Sequence, residues 1–143
     1  MLVTINVQGL DPAPQGSKTY YGNGRMAESC KRVDPWRDLV TGTASQQMRT
    51  QGVELLIGAV SVTAEFRFAR PKSHLTSKGA LKNDAPLQYT VKKNDLDKVC
   101  RSTLDALTGI AFEDDSKVIH LLANKRYCRA GEEPGAAIII KQM

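Results

Sequence analysis

Residues 94–115 have the sequence NDLDKVCRSTLDALTGIAFEDD, and the interpretation of the whole chain starts from them. Apolar side chains recur here at intervals of three and four residues: Leu96, Val99, Cys100, Thr103, Leu104 and Leu107. This spacing places them on one face of an amphipathic helix. Asn94 or Asp95 is a suitable N-terminal cap, and Gly109 is a suitable stop. The sequence therefore predicts a helix with acidic residues at its entry and just beyond its exit.

The remaining pattern predicts four strands and a second helix. Alternating apolar residues predict strands at residues 2–7 and 60–70, the latter beginning near Glu54, and apolar runs predict two more at residues 117–126 and 136–141. Asp34 and Pro35 start a helix that extends to about Gln51, with Trp36 in the core. The order β-α-β-α-β-β predicts an α+β fold, with one mixed sheet and two main helices on one face.

Composition limits the class of protein. The chain has 143 residues, which suits one domain over residues 1–143, and 41% of them are apolar and 24% charged, as in globular proteins. The excess of 20 Lys and Arg over 15 Asp and Glu gives a net charge of +5, which favours polyanionic partners. Three cysteines without C-x-x-C spacing predict neither disulfides nor a zinc site. No leader or membrane span is recognised, so we expect a cytoplasmic protein without a membrane partner.

Two segments are rich in basic residues and poor in periodicity. Residues 71–93 form the basic loop, which is either an insertion that orders on a polyanion or a solvated, mobile one. Its lysines are Lys72, Lys78, Lys82, Lys92 and Lys93. A second irregular loop near residues 12–25 contains Lys18 and Arg25, which either meet a sugar-phosphate backbone or are simply solvated.

The acidic residues at the two ends of the predicted helix are candidate metal ligands. Asp95, Asp97, Asp114 and Asp115 supply up to four carboxylates, and two or three are enough for Mg²⁺, which prefers oxygen ligands and keeps water in its other positions. A metal bound to a phosphodiester polarises the phosphoryl oxygen and lowers the pKa of an attacking water. The alternative is that these residues only cap helices and aid solubility. The residues alone leave both interpretations open.

Arg101 lies one helical turn after Asp97 and on the same face. Its guanidinium could offset the additional negative charge on a pentacovalent phosphorane or hold the scissile phosphate. The alternative is structural, because Asp97, Arg101 and Asp105 form a row at four-residue spacing that suits ordinary surface ion pairs.

Three motifs in this region together resemble the RusA family of Holliday junction resolvases. They are DLDK at residues 95–98, LDALT at 104–108 and FEDDSKV at 112–118, in that order. Weaker similarity extends to PQGSK at 14–18, as in phage-type members, to PWR at 35–37 and to RPKSH at 70–74. The resemblance covers nearly the whole chain and is strongest over residues 94–125.

The resemblance implies a homodimeric endonuclease that depends on Mg²⁺, or on Mn²⁺ in its place, and nicks two opposing strands of a four-way DNA junction. It implies that Asp95, Asp97 and Asp115 are catalytic metal ligands, with Asp114 as a further metal ligand. Arg101 stands where bacterial members have a catalytic lysine. Arginine does not readily release a proton, so phosphate or transition-state contact is the role that remains.

The resemblance also places Lys98 where the bacterial motif has Asn, so Lys98 could share the task of Arg101. The predicted DNA-binding residues are Lys18, Arg25, Lys72, Lys78, Lys82, Lys92, Lys93 and Lys98. A junction with near two-fold symmetry offers two equivalent phosphates, which matches a C₂ dimer with two equivalent sites. Two alternatives remain: a non-catalytic junction-binding dimer, and a nuclease that acts on flaps or forks.

Overall fold

The helices and strands follow the periodicities of the sequence. The computed structural model describes residues 1–16, 18–20, 26–28 and 30–143, with side chains outside 17–29. In chain order the elements are β1 (Leu2–Gln8), β2 (Lys18–Tyr20), β3 (Met26–Glu28), α1 (Val33–Gln51), β4 (Val60–Phe68), α2 (Leu96–Leu107), β5 (Val118–Tyr127) and β6 (Gly135–Gln142). The predicted α+β class, the helices and the four main strands are confirmed.

The main sheet is mixed, with strand order β1-β6-β4-β5. Strand β6 lies antiparallel to both β1 and β4, whereas β4 and β5 are parallel. Parallel neighbours need a crossover connection, and α2 lies in the connection between β4 and β5. The sheet therefore brings the start of β5 next to the helix that carries the first acidic motif.

The core lies between one face of the sheet and the two helices. Val62, Ala64 and Phe66 alternate toward this side and are buried, as period-2 geometry requires. Trp36 is fully buried, and its indole N–H donates to the Thr103 hydroxyl at 3.1 Å. This bond joins α1 to α2 and confirms the predicted role of Trp36 in the core.

Three local predictions were wrong. Helix α1 begins at Val33 with Arg32 in the capping position, so Asp34 lies in the first turn and stabilises the helix dipole without capping. Strand β4 begins at Val60, well after Glu54, because α1 ends in a left-handed Gly52 and the following residues connect the layers. The loop near residues 12–25 contains the short strand β2, which pairs antiparallel with β3 just after the loop; strands of three residues are too short to be recognised by alternation.

The basic loop, residues 71–93, is anchored at both ends. It begins with a 3-10 helix at Lys72–His74. Near its other end Tyr89 is buried, stacked on Phe68 with ring centroids 4.1 Å apart and edge-on to Tyr127 at 5.0 Å. A single aromatic residue carries no periodicity, so the sequence did not indicate this anchor. The mobility of the central part of the loop stays a prediction.

The two edges of the sheet differ. On β1, the side-chain amide of Gln51 pairs with both backbone groups of Thr4, at 3.1 and 2.6 Å, and Gln47 does the same for Asn6, at 2.7 and 3.0 Å. These amides occupy the positions that another strand would take. On β5, among the residues described, only the C-terminal end is covered, through a bridge between Gln88 and Arg126.

Candidate active site

Helix α2 starts at Asp95 without a side-chain cap. Asp95 occupies the capping position with extended backbone angles, but its carboxylate accepts no capping hydrogen bond. The carboxylate is about half exposed, and the Lys98 ammonium lies 3.8 Å away. An Asp at this position normally accepts a hydrogen bond from the first turn. The capping interpretation therefore does not account for Asp95.

A cleft of about 630 Å³ lies between α2 and β5 and brings three predicted residues together. Asp97 and Arg101 come from consecutive turns of α2, and Asp115 opens the 3-10 helix Asp115–Lys117 that leads into β5. The remaining lining is mostly apolar: Leu96, Cys100, Leu104, Leu121 and Ala123. The cleft thus combines two exposed carboxylates and an exposed guanidinium with a mostly apolar lining.

The two aspartates of the second acidic motif have different surroundings. Asp114 caps the 3-10 helix Asp115–Lys117, since its carboxylate accepts from the Ser116 amide at 3.1 Å. This hydrogen bond is the main reason that the pKa of Asp114 lies below its usual value. Asp115 lines the cleft. The structure therefore gives Asp114 a local structural partner, whereas Asp115 lines the same cleft as Asp97.

The predicted row of ion pairs along α2 does not form in the part of the chain that the structure describes. Asp105 accepts a hydrogen bond from the Gln15 side-chain amide at 2.7 Å, so it is used to hold the N-terminal loop. Arg101 is exposed, and the salt bridges among the described residues involve Lys98 and Arg126. Arg101 thus remains available for a ligand in the cleft.

Cys100 lines the same cleft but is chemically quiet. Burial raises its pKa to about 11, and the charge of Asp97 adds to the shift. A thiol with this pKa is protonated at neutral pH, and the thiolate is the form that attacks or binds metal. Cys100 is accordingly part of the apolar lining.

The four predicted metal ligands do not converge within one chain. Among the described residues, no three His, Cys, Asp or Glu side chains lie close enough together to hold a metal ion. Asp97 and Asp115 share the cleft, while Asp95 and Asp114 are not part of its lining. The structure thus favours a pair of carboxylates over the set of four.

The predicted DNA-binding residues lie around this region or beyond it. The predicted lysines of the basic loop are all exposed: Lys72, Lys78, Lys82, Lys92 and Lys93. Lys98, on α2, is half-buried. The side chain of Lys18 and the whole of Arg25 fall outside the described residues. Sequence reasoning missed Asn94, which was considered only as a cap, and Lys125, which was considered only as part of a strand. Neither has a motif or a periodicity that points to the site.

Comparisons with known proteins bear on the family of the chain. No curated protein matches the chain. Across the described residues, none of the helices has the length and apolar character that crossing a membrane requires. The family model described as Endodeoxyribonuclease RusA matches residues 10–141, which include both helices and the whole candidate site. The chain therefore belongs to the RusA family of endodeoxyribonucleases, which resolve Holliday junctions.

Proposed function

We propose that this chain is a Mg²⁺-dependent endonuclease that resolves four-way DNA junctions by paired, symmetric nicks, with Asp97, Arg101 and Asp115 at its catalytic centre. One observation carries the proposal. Two carboxylates that neither cap a helix nor form an ion pair share a cleft with an unpaired guanidinium, among the residues described. Family membership supplies the reaction class.

The donor set fits a hard divalent cation. Asp97 and Asp115 offer carboxylate oxygens, and Mg²⁺ is commonly bound through one or two carboxylates together with substrate phosphate and water. Mn²⁺ accepts the same ligands. When bound, such a cation would polarise the scissile phosphate and lower the pKa of the attacking water. No protein nucleophile is then needed, which agrees with the protonated state of Cys100.

Arg101 is proposed to hold the scissile phosphate and to stabilise the charge that develops on it. Its side chain is exposed at the cleft, and a planar guanidinium can donate two parallel N–H bonds to a phosphate. Asp95 stays a proposed metal ligand, since its carboxylate has no capping role and Lys98 is 3.8 Å away. Asp114 is a weaker candidate because Ser116 already occupies one carboxylate oxygen.

The basic loop is proposed to hold the DNA backbone beside the cleft. The double substitution of Lys78 and Lys82 by Ala should reduce the magnitude of the slope of log binding constant against log salt by about 2, since each phosphate contact contributes roughly 0.9. Fluorescence anisotropy with a labelled junction measures this slope. Lys141→Ala on the far face of β6 is the control and should leave the slope unchanged. An unchanged slope in the double variant would show that the loop does not contact phosphates.

The proposed homodimer forms through the exposed edge of β5. The edge on β1 is occupied by glutamine side chains, whereas the first part of β5 exposes Ile119 (63%), Leu121 (43%) and Leu122 (60%). Exposed apolar residues on an unpaired edge strand favour association with another strand. Antiparallel pairing of two copies has the two-fold symmetry that two equivalent nicks require.

A charge on this edge should dissociate the dimer. Leu122→Glu would bury a carboxylate at the contact, and we expect the dissociation constant of the dimer to rise at least about 30-fold. Sedimentation velocity over a concentration series measures it. Leu2→Glu alters another exposed apolar side chain, 49% accessible and on β1 at the opposite edge of the sheet, and should leave the dimer intact. A Leu122→Glu protein that stays dimeric would rule out this interface.

Preference for four-way junctions separates the proposal from its main alternative, a nuclease for flaps or forks. Nicking should be measured on a mobile four-way junction, a flap, a fork and a linear duplex, each over a Mg²⁺ titration with mapped cut sites. We expect cuts in opposing strands of the junction and little cleavage of the others. Equal rates on all substrates favour the flap and fork nuclease, and binding without nicks favours a non-catalytic dimer.

A further inference from the structure

Asn94 immediately precedes the first aspartate of the site and is almost completely buried, at 1% exposure. Its side-chain oxygen accepts from the Arg32 guanidinium at 2.9 Å, and its side-chain nitrogen donates to the Tyr89 hydroxyl at 2.5 Å. Its backbone carbonyl accepts from the Lys125 ammonium at 2.8 Å. One residue therefore satisfies three polar partners from three parts of the fold.

These partners belong to elements that otherwise have separate tasks. Arg32 immediately precedes α1, Tyr89 anchors the end of the basic loop in the core, and Lys125 belongs to β5. The Lys125 ammonium also lies over the Tyr89 ring, 5.2 Å from its centroid. The orientation of the Asn94 amide is fixed, because a guanidinium only donates and so must face the oxygen.

The network compensates for the missing cap of α2. The carboxylate of Asp95 does not bond to the first turn, although Lys98 and Val99 donate their backbone N–H groups to the Asp95 carbonyl at 3.1 and 3.0 Å. The residue immediately before Asp95 is Asn94, which is held by hydrogen bonds at three points.

We propose that Asn94 is a positioning residue that sets the orientation of Asp95 and Asp97 and links it to the seating of the basic loop through Tyr89. The expected effect on nicking rests on the proposed function, whereas the expected effect on the start of α2 does not. A DNA strand held by the lysines of the loop is placed relative to Asp97 through a buried path: Tyr89, Asn94 and the start of α2. Loop contact and carboxylate geometry are thereby coupled.

Hydrogen exchange of the protein without DNA or metal tests the structural part. Tyr89→Phe removes only the hydroxyl and keeps the aromatic packing, so it should fold, and Asn94→Ala removes both side-chain bonds. In both variants we expect the amides of Lys98 and Val99 to exchange at least about tenfold faster, with the amides at the end of α2 unchanged. Thr41→Val is the matched control, because it removes a hydrogen bond from α1 to the Ala106 carbonyl near the other end of α2 and should not alter the first turn.

Junction cleavage and binding test the functional part. Tyr89→Phe should lower kcat about tenfold and raise the Mg²⁺ concentration for half-maximal rate, with the junction KM nearly unchanged. The variant that combines Tyr89→Phe with Asn94→Ala should have the same kcat as Asn94→Ala alone, because both substitutions break the same path.

The outcomes separate the two proposals. Wild-type exchange rates at Lys98 and Val99 in both variants would overturn the positioning role, whatever the enzyme cleaves. Faster exchange in the first turn combined with no cleavage by the unmutated protein would support the positioning role and overturn the nuclease proposal. Faster exchange with unchanged kcat and metal dependence would show that Asn94 is structural only and would overturn its coupling to the site.

Discussion

Asp97→Asn should abolish nicking of a synthetic four-way junction and leave junction binding largely intact. The substitution removes one of the two carboxylates that share the cleft with Arg101 while keeping the shape of the side chain. Loss of a ligand for a catalytic cation removes several kcal/mol of transition-state stabilisation, which is a decrease of about 1,000-fold or more in rate. Binding should persist or strengthen slightly, because a negative charge near the DNA is removed.

The control lies on the same helix. Asp105→Asn removes the same charge two turns further on, but its side-chain oxygen can still accept from Gln15, and it does not line the cleft. Single-turnover nicking at saturating Mg²⁺ should therefore stay within about threefold of the unmutated protein. Full activity of Asp97→Asn, or equal loss in both variants, contradicts the assignment of the cleft.

The adjacent aspartates provide a second comparison within the same experiment. Asp115→Asn should reduce nicking as severely as Asp97→Asn, since Asp115 faces the cleft. Asp114→Asn should be mild, because Asn also serves as a cap and can accept from Ser116. If Asp114→Asn lost nicking severely and Asp115→Asn did not, Asp114 would be the metal ligand and Asp115 would not.

Gly135→Ala should strongly destabilise the fold. Gly135 opens β6 with a φ of 153°, and a Cβ there would lie 1.8 Å from the Val7 carbonyl oxygen on β1. The strand cannot shift freely, because β6 is hydrogen-bonded to β1 on one side and to β4 on the other. We expect a loss of roughly 3–5 kcal/mol in the free energy of unfolding, measured by chemical denaturation.

Gly42→Ala is the matched control for this substitution. Gly42 lies within α1, where an added Cβ meets nothing within 4 Å, so the same change should stabilise the protein by about 0.5–1 kcal/mol. Opposite signs for the two variants are the expected result. A Gly135→Ala protein as stable as the unmutated one would mean that the β1 and β6 strands can separate at this point.

Local features of the site were predictable because they depend on neighbours in sequence. The apolar spacing from Leu96 to Leu107 predicted α2 to within a residue or two, since one turn repeats every few residues. The alternation of β4 predicted its buried face for the same reason. The carboxylate motifs predicted a metal-dependent nuclease through resemblance, and the family is confirmed.

Other features were not predictable because distant segments decide them. Capping and metal binding were both open for the acidic residues, and only the packing of α2 against β5 distinguished Asp115 in the cleft from Asp114 on Ser116. The alternative role of Arg101 failed because Gln15, far away in sequence, pairs with Asp105. No pattern along the chain encodes such a contact.

The sequence by itself determined the two helices, the four main strands, the fold class and the family, because periodicity and motifs are properties of adjacent residues. The tertiary structure decided which carboxylates share a cleft, which edge of the sheet stays open and what holds the start of α2. Asp95 is the clearest case: its position predicts a cap, yet its carboxylate makes no capping bond and lies 3.8 Å from the Lys98 ammonium, while the buried amide of Asn94 bonds to Arg32 and Tyr89 just before the helix. Hydrogen bonds between residues far apart in sequence exist only after the chain has folded, so only the folded structure shows them.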